Sequence, residues 1–242
     1  MVSKREKREH VPICNREIDS TFLKMSVINI SSMIIGMLLY GERREAFDFW
    51  MDPISFLGAT ETANGHKNTA SLIVFVLGMV ISGFLMLKVA SLFKKHEEIQ
   101  HHRLKSYLSV GAALGFFIIT YPCNINNNIH SVGGALLFGN LWGITLLFLL
   151  EVPSLEGAPH VVFYHFILHS TVLTYAFNFV IKSNIQQITQ KFAILSLIIV
   201  LKATTSLYKL YEEPTEVQTQ EEREGKQFLT EDSGEPEESE IF

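Results

Sequence analysis

NTASLIVFVLGMVISGFLMLKVASLF, residues 68–93, contains a single formally charged side chain, Lys88. A bilayer core takes about 20 apolar residues to cross as a helix, so a run this long and this apolar reads as a membrane span. Runs of similar scale recur at 22–40, 104–123, 130–151, 161–181 and 192–208. Lipid leaves no backbone polar group unpaired, and the short alternating segments of a barrel do not occur between these runs. The expected fold is all-α: a polytopic six-transmembrane-helix bundle over residues 22–211, preceded by a basic amino-terminal segment, 1–21, and followed by a tail, 212–242.

The whole-chain mean hydropathy of +0.22 understates this body because the tail dilutes it. Residues 212–242 hold twelve Asp or Glu against two Lys or Arg, a net of −10, and the chain total of −5 leaves +5 for residues 1–211. Acidic, poor in large apolar groups and interrupted by Pro214, Gly225, Gly234 and Pro236, the tail is expected to be disordered. It is a solubilising terminus, or a docking segment for a membrane or cytosolic protein partner with phosphorylation at Ser233 and Ser239 as its control. No broad basic, aromatic surface suggests nucleic acid. The first span lacks a small-residue cleavage site and reads as an uncleaved signal anchor. Cys14 and Cys123 fall near opposite faces, which disfavours a disulfide between them.

Lys and Arg set the orientation. They are densest before residue 22 and in the 94–105 connection (Lys94, Lys95, Arg103, Lys105), and the 123–129 connection has none. Both termini are therefore expected in the cytoplasm, of a plasma membrane or endomembrane protein. Lys88 and Lys202 lie near the inner boundary, where they can snorkel, and His96, His101 and His102 sit in a charged connection with Glu97 and Glu98 that reads as solvated.

Inside the spans, Gly111–Gly115 and Gly139–Gly143 have the spacing that lets helix backbones approach, predicting a close contact between spans three and four. Three polar residues stand out within the membrane: Asn140, His165 and His169. The two histidines share a helical face, the spacing with which a helix supplies two metal ligands, but Phe166, Ile167 and Leu168 between them offer no Glu to act as general base. His130 and His160 lie too far away, at the two membrane boundaries, to complete a metal site, and paired haems need interior histidines that spans two, three and six lack. An interhelical hydrogen bond, His169 with Asn140, is the expected role, and no cofactor is expected. Phosphate loops and nucleophile elbows are missing from the sequence.

The first outer loop reads Phe49-Trp50-Met51-Asp52-Pro53-Ile54-Ser55-Phe56-Leu57-Gly58, then Asn64-Gly65-His66; Tyr121-Pro122-Cys123 leads through Asn126, Asn127 and Asn128 to His130 and Ser131. With its six spans, its Pro-Ile-Ser-x-x-Gly element at Pro53 to Gly58 and a histidine opening span four, the chain resembles the DRAM/Frag/Sfk superfamily of six-span membrane proteins and related prokaryotic families. Phe56 departs from the polar residue, often Asp, common there. The resemblance implies membrane-lipid homeostasis, lipid-anchor remodelling or the organising of lipid kinases, mostly without a catalytic centre. Read locally, Pro53, Ser55 and Gly58 can instead cap the loop between helices. The functional alternative is an outward pocket of Asp52, Ser55, His66, His130 and Ser131 that touches lipid headgroups. A non-enzymatic lipid or membrane-protein organiser therefore leads, ahead of an intramembrane enzyme acting on lipid, a metal- or haem-dependent redox protein, or a small-solute transporter. No inverted repeat or broken-helix pair supports the last of these.

The charge pattern predicts that a cysteine reporter at residue 230 labels only after permeabilisation, whereas one at Asn64 labels in intact cells. Labelling of residue 230 from outside would reverse the orientation.

Overall fold

The structure, a computed structural model, describes residues 16–151 and 160–210, with side chains to 206. The basic residues before Arg16, Cys14, the connection 152–159 and the acidic tail with Ser233 and Ser239 lie outside the described residues. Among the described residues the fold is all-helical: α1 Arg16–Leu39, α2 Thr69–Lys95, α3 His102–Ile118, α4 Asn127–Glu151, α5 Val161–Val180 and α6 Gln186–Leu210, with 3-10 turns at Tyr40–Arg43 and Ile54–Gly58. The β-type pairing recorded is one isolated bridge, Glu61 with Lys67. Four helices are long and apolar enough to cross a membrane: Arg16–Arg43, Thr69–Lys95, Asn127–Glu151 and Gln186–Ser206. At 17 residues α3 is shorter than its apolar run, and α5 carries two histidines and an asparagine along its 20 residues.

Two helices start more than a full turn before their apolar runs. α1 begins at Arg16 because Ile18, Phe22, Met25, Asn29, Ser32 and Gly36 form one continuous buried stripe at helical spacing. α6 begins at Gln186, since the glutamines ahead of its apolar run face a cavity described below.

Helices consecutive in the chain run antiparallel. α2 lies between α1 and α3, α3 packs on α4, α5 packs on α6, and α6 reaches back to α4 and α1. The α3–α4 seam is tight, as the glycines predict, although the partners differ: a Cβ on Gly115 would lie 2.4 Å from Leu137 N, and one on Gly133 would lie 2.5 Å from Ile119 N. Gly111 makes room for Asn140, Gly143 meets Leu108, and Gly139 has nothing within 4 Å because it opens on the cavity.

At the end holding the start of α1, charged side chains pair between helices. Lys88 Nζ meets Glu17 Oε1 at 2.7 Å, and Lys202 Nζ meets Asp19 Oδ1 at 2.6 Å. Thr205 Oγ1 donates to the same Asp19 oxygen at 2.8 Å. Lys105, read in the sequence as a connection charge, is fully buried, 2.5 Å from Glu151 Oε2 and 4.1 Å from the centre of the Phe148 ring. Nor is His101 merely solvated: its Nδ1 lies 3.1 Å from Glu151 Oε1. Lys105 and Glu151 are both buried and so depend on each other; removing one would strand the other's charge.

At the opposite end, called here the loop end, the 41–67 connection folds down between helices, and its backbone must find partners there. Asn68, completely buried, supplies them. Its Oδ1 accepts the Gly41 N–H at 3.0 Å, and its Nδ2 donates to Phe56 O at 3.1 Å and Ala59 O at 3.0 Å. Ser71 Oγ donates to Leu57 O at 3.0 Å. Gly41 itself has φ +54, a left-handed conformation natural to glycine that turns the chain out of α1. Asn68→Ala strands these buried groups and is expected to cost about 3 kcal/mol; Asn64→Ala, which removes one exposed bond to Glu45, should cost less than about 0.5 kcal/mol. Melting both variants in detergent checks the contrast, and equal Tm values would remove Asn68 from this role.

Candidate functional site

The first connection is stitched across the loop end. Gln190 Oε1 accepts the Ile54 N–H at 3.1 Å, Lys191 Nζ donates to Asp52 O at 2.7 Å, and Cys123 Sγ donates to Ser55 O at 3.4 Å. Thr60 and Asn124 exchange a pair of bonds, Thr60 N to Asn124 Oδ1 at 3.0 Å and Asn124 Nδ2 to Thr60 Oγ1 at 2.7 Å. Pro53, Ser55 and Phe56 thereby become one edge of a cavity of about 660 Å³ bounded by α4, α5 and α6.

The cavity is amphipathic along its length. Ser55, Asn124, Asn127, His130, Ser131 and the glutamines 186, 187 and 190 line it near the loop end. Phe138, Gly139 and Trp142 on α4, with Val172, Leu173 and Ala176 on α5, line it further in. A smaller cavity of about 100 Å³ lies inside the bundle, lined by Asn29, Met33 and Met79 among others; Ser55, His130, Phe138 and Gln190 border both.

Of the outward residues expected from sequence, Ser55, His130 and Ser131 meet at this cavity. Asp52 stands beside it with its carboxylate turned away, Oδ2 accepting the Asp48 N–H at 2.8 Å. His66 is elsewhere, on a turn closed by Thr62 N to His66 O at 2.9 Å and His66 N to Thr62 Oγ1 at 3.2 Å. The five-residue pocket therefore does not assemble. His130 is only 6% exposed, and its Nδ1 faces Tyr121 O at 2.9 Å. A carbonyl only accepts, so Nδ1 carries a proton toward Tyr121 O, and the Ile119 carbonyl is a second backbone acceptor against the ring.

The polar residues expected within the spans pair differently from expectation. Asn140 Nδ2 donates to Leu136 O at 2.6 Å, and its side chain fills the space over Gly111 on α3. His169 bonds Trp142 instead, whose Nε1–H donates to His169 Nδ1 at 3.2 Å. Indole only donates, so His169 in its neutral form holds its proton on Nε2, which faces His165 Nδ1 at 3.3 Å. A directed chain results, Trp142 to His169 to His165, with the imidazoles stacked at 5.5 Å. Among the described residues no group of three or more His, Cys, Asp or Glu is placed to hold a metal.

The sequence reading missed Trp142, Tyr175 and the glutamines of α6. Its one available signal was the run Gln186-Gln187-Ile188-Thr189-Gln190, whose amides recur at helical spacing just ahead of an apolar run. Comparison of the chain with protein-family models, with curated proteins and with solved structures gives no match.

Cys123, 8% exposed, lines the cavity edge, and burial pushes its thiol up from the ordinary range. The folded protein thus keeps a proton that the unfolded chain releases above about pH 8.5. Stability from this group is complete below that pH and declines as pH rises toward the folded-state value. In a Cys14→Ser background, iodoacetamide should alkylate Cys123 at least ~10-fold more slowly than a free thiol at neutral pH, the reactive species being thiolate. Free-thiol rates at neutral pH would contradict this environment.

Proposed function

We propose that the chain is a six-span integral membrane protein, both termini cytoplasmic, that organises membrane lipid or lipid-associated proteins by holding one amphiphile in the cavity bounded by α4, α5 and α6. The observation that carries this reading is the polarity gradient of that cavity: amides, hydroxyls and one imidazole at the loop end, aromatic and aliphatic walls below. A site of this volume falls within the range that encloses small ligands, and its gradient matches a molecule with a polar head and an apolar chain. The walls are also open sideways. Leu173 is 57% exposed and Val180 76%, and Gly139 has no neighbour within 4 Å, so a chain enters from the side without a helix being displaced.

The six-span arrangement draws support from α3 and α5. Their outward faces carry exposed Leu104, Tyr107 and Leu114, and exposed Val162, Phe166 and Phe177, surfaces too apolar for water when contiguous. The exposed Phe49, Trp50 and Met51 at the loop end suit the interfacial belt where aromatic rings collect. Relationship to the DRAM/Frag/Sfk superfamily belongs to the same proposal: Pro53 and Ser55 of the loop element and His130 at the head of α4 all border the cavity. Its amides and hydroxyls fit holding a ligand rather than transforming it.

Filling the cavity tests the reading. Gly139→Leu projects into open space, so it should leave the Tm within about 2 °C of wild type, as expected for a change without overpacking. A phospholipid with a photoactivatable acyl chain should crosslink to residues 134–142 and 172–180 in wild type and several-fold less in the variant. Crosslinks that spread evenly round the bundle and ignore the substitution would overturn lipid holding at this site.

A further inference from the structure

The head chemistry of the ligand is legible in what the cavity lacks and in what it leaves unbonded. None of the residues lining it is Asp, Glu, Lys or Arg. A cation next to the lining residue Gln190, Lys191, is held on Asp52 O at 2.7 Å and Gln187 O at 3.1 Å and lies 5.4 Å from the centre of the Phe49 ring. Phosphate or carboxylate headgroups are recognised by Arg, Lys or clustered N–H groups, and a quaternary amine by carboxylates or a cage of aromatic faces. Arg, Lys and carboxylates are absent from that lining, so an anionic head would lose its hydration there without compensation, while Phe56, Tyr175 and Phe179 do line it.

The hydrogen-bonding capacity points the same way. Gln187 Oε1, on the cavity lining, is buried and has no partner. Asn29, 8% exposed and lining the smaller cavity, likewise leaves its Oδ1 without a partner. These are acceptors, and a buried acceptor left unmet is costly. The occupant must therefore bring O–H or N–H groups. Ser131, with a hydroxyl that donates or accepts, completes a lining suited to hydroxyl heads.

We infer that the cavity selects an uncharged, hydroxyl-bearing single-chain or sterol-like amphiphile, of the glycerol or sugar-headed kind, over anionic and donor-free lipids. This rests on the lipid-holding reading above and specifies its ligand. The head sits among Ser131, His130 and Gln187, and the chain runs along α4 toward Trp142.

Trp142 reports occupancy directly, because the chain has one other tryptophan, Trp50, and that one is 59% exposed on the first connection. The full chain carrying Trp50→Phe is placed in phosphatidylcholine nanodiscs and titrated with a monoacylglycerol whose chain is dibrominated, a quencher on contact. Saturable quenching of Trp142 is expected, reversed by oleoylglycerol or by oleyl glucoside. The comparison of these two separates glycerol from sugar heads. Oleoyl lysophosphatidate and methyl oleate, which share the chain but carry an anionic or a donor-free head, should compete at least ~10-fold more weakly, as a mismatched buried polar group predicts. Gln187→Met keeps the side-chain volume and removes the acceptor; it should weaken oleoylglycerol about fivefold, the scale of one neutral hydrogen bond, with Tm retained. Equal or better competition by lysophosphatidate overturns the uncharged-head inference and leaves lipid holding intact. Absence of saturable quenching by the brominated probe overturns both.

Discussion

A chain segment tucked between helices has to find a hydrogen-bond partner for every peptide group it buries, and at the loop end one side chain meets a larger share of that demand than any other. The Asn68 carboxamide reaches the end of α1 through Gly41, the 3-10 turn through Phe56 and the approach to α2 through Ala59. An amide is suited to this because it offers donor and acceptor together with no charge to desolvate. With the segment pinned, Ile54 meets Gln190 and Ser55 meets Cys123, and those meetings give the cavity its edge. The candidate site is thus a consequence of how a connection is anchored.

Polarity is divided between the two ends of the bundle. Where α1 starts, carboxylates and lysines are matched across helices: Glu17 with Lys88, Asp19 with Lys202, Glu151 with Lys105. At the other end the cavity is lined by amides, hydroxyls and an imidazole. Ion pairs suit a rigid joint, since each charge is held by its partner. Neutral groups with unfilled acceptors suit a site that exchanges one uncharged partner for another, because neither state carries a large desolvation penalty.

The sequence made the helices legible because apolar length is a one-dimensional property. Helix ends were less so: α1 and α6 extend beyond their apolar runs wherever polar residues share a buried face, as Asp19 and Gln190 do, and no local count registers that. The site was read in part. Ser55, His130 and Ser131 stand out as polar residues next to spans, and they do line the cavity. His66 stands out equally but belongs to a turn closed on Thr62. Pairings were the hardest to foresee. Asn140 and His169 look like natural partners by depth, yet rotation about the α4 axis turns Asn140 to Gly111 and presents Trp142 to His169. Such facing is set by packing, which a single sequence does not encode position by position.

The Lys105–Glu151 pair bears on how the protein is made. In the proposed arrangement α3 carries a buried ammonium near its first turn, and the carboxylate that matches it is 46 residues further along, at the last residue of α4. While the ribosome is still synthesising α4, α3 alone would present an unmatched cation to the bilayer. The two helices therefore favour leaving the translocon together, as a hairpin already zipped by Gly115 and Gly133. In that arrangement, integration of the middle of the protein would become a single event timed by the synthesis of Glu151.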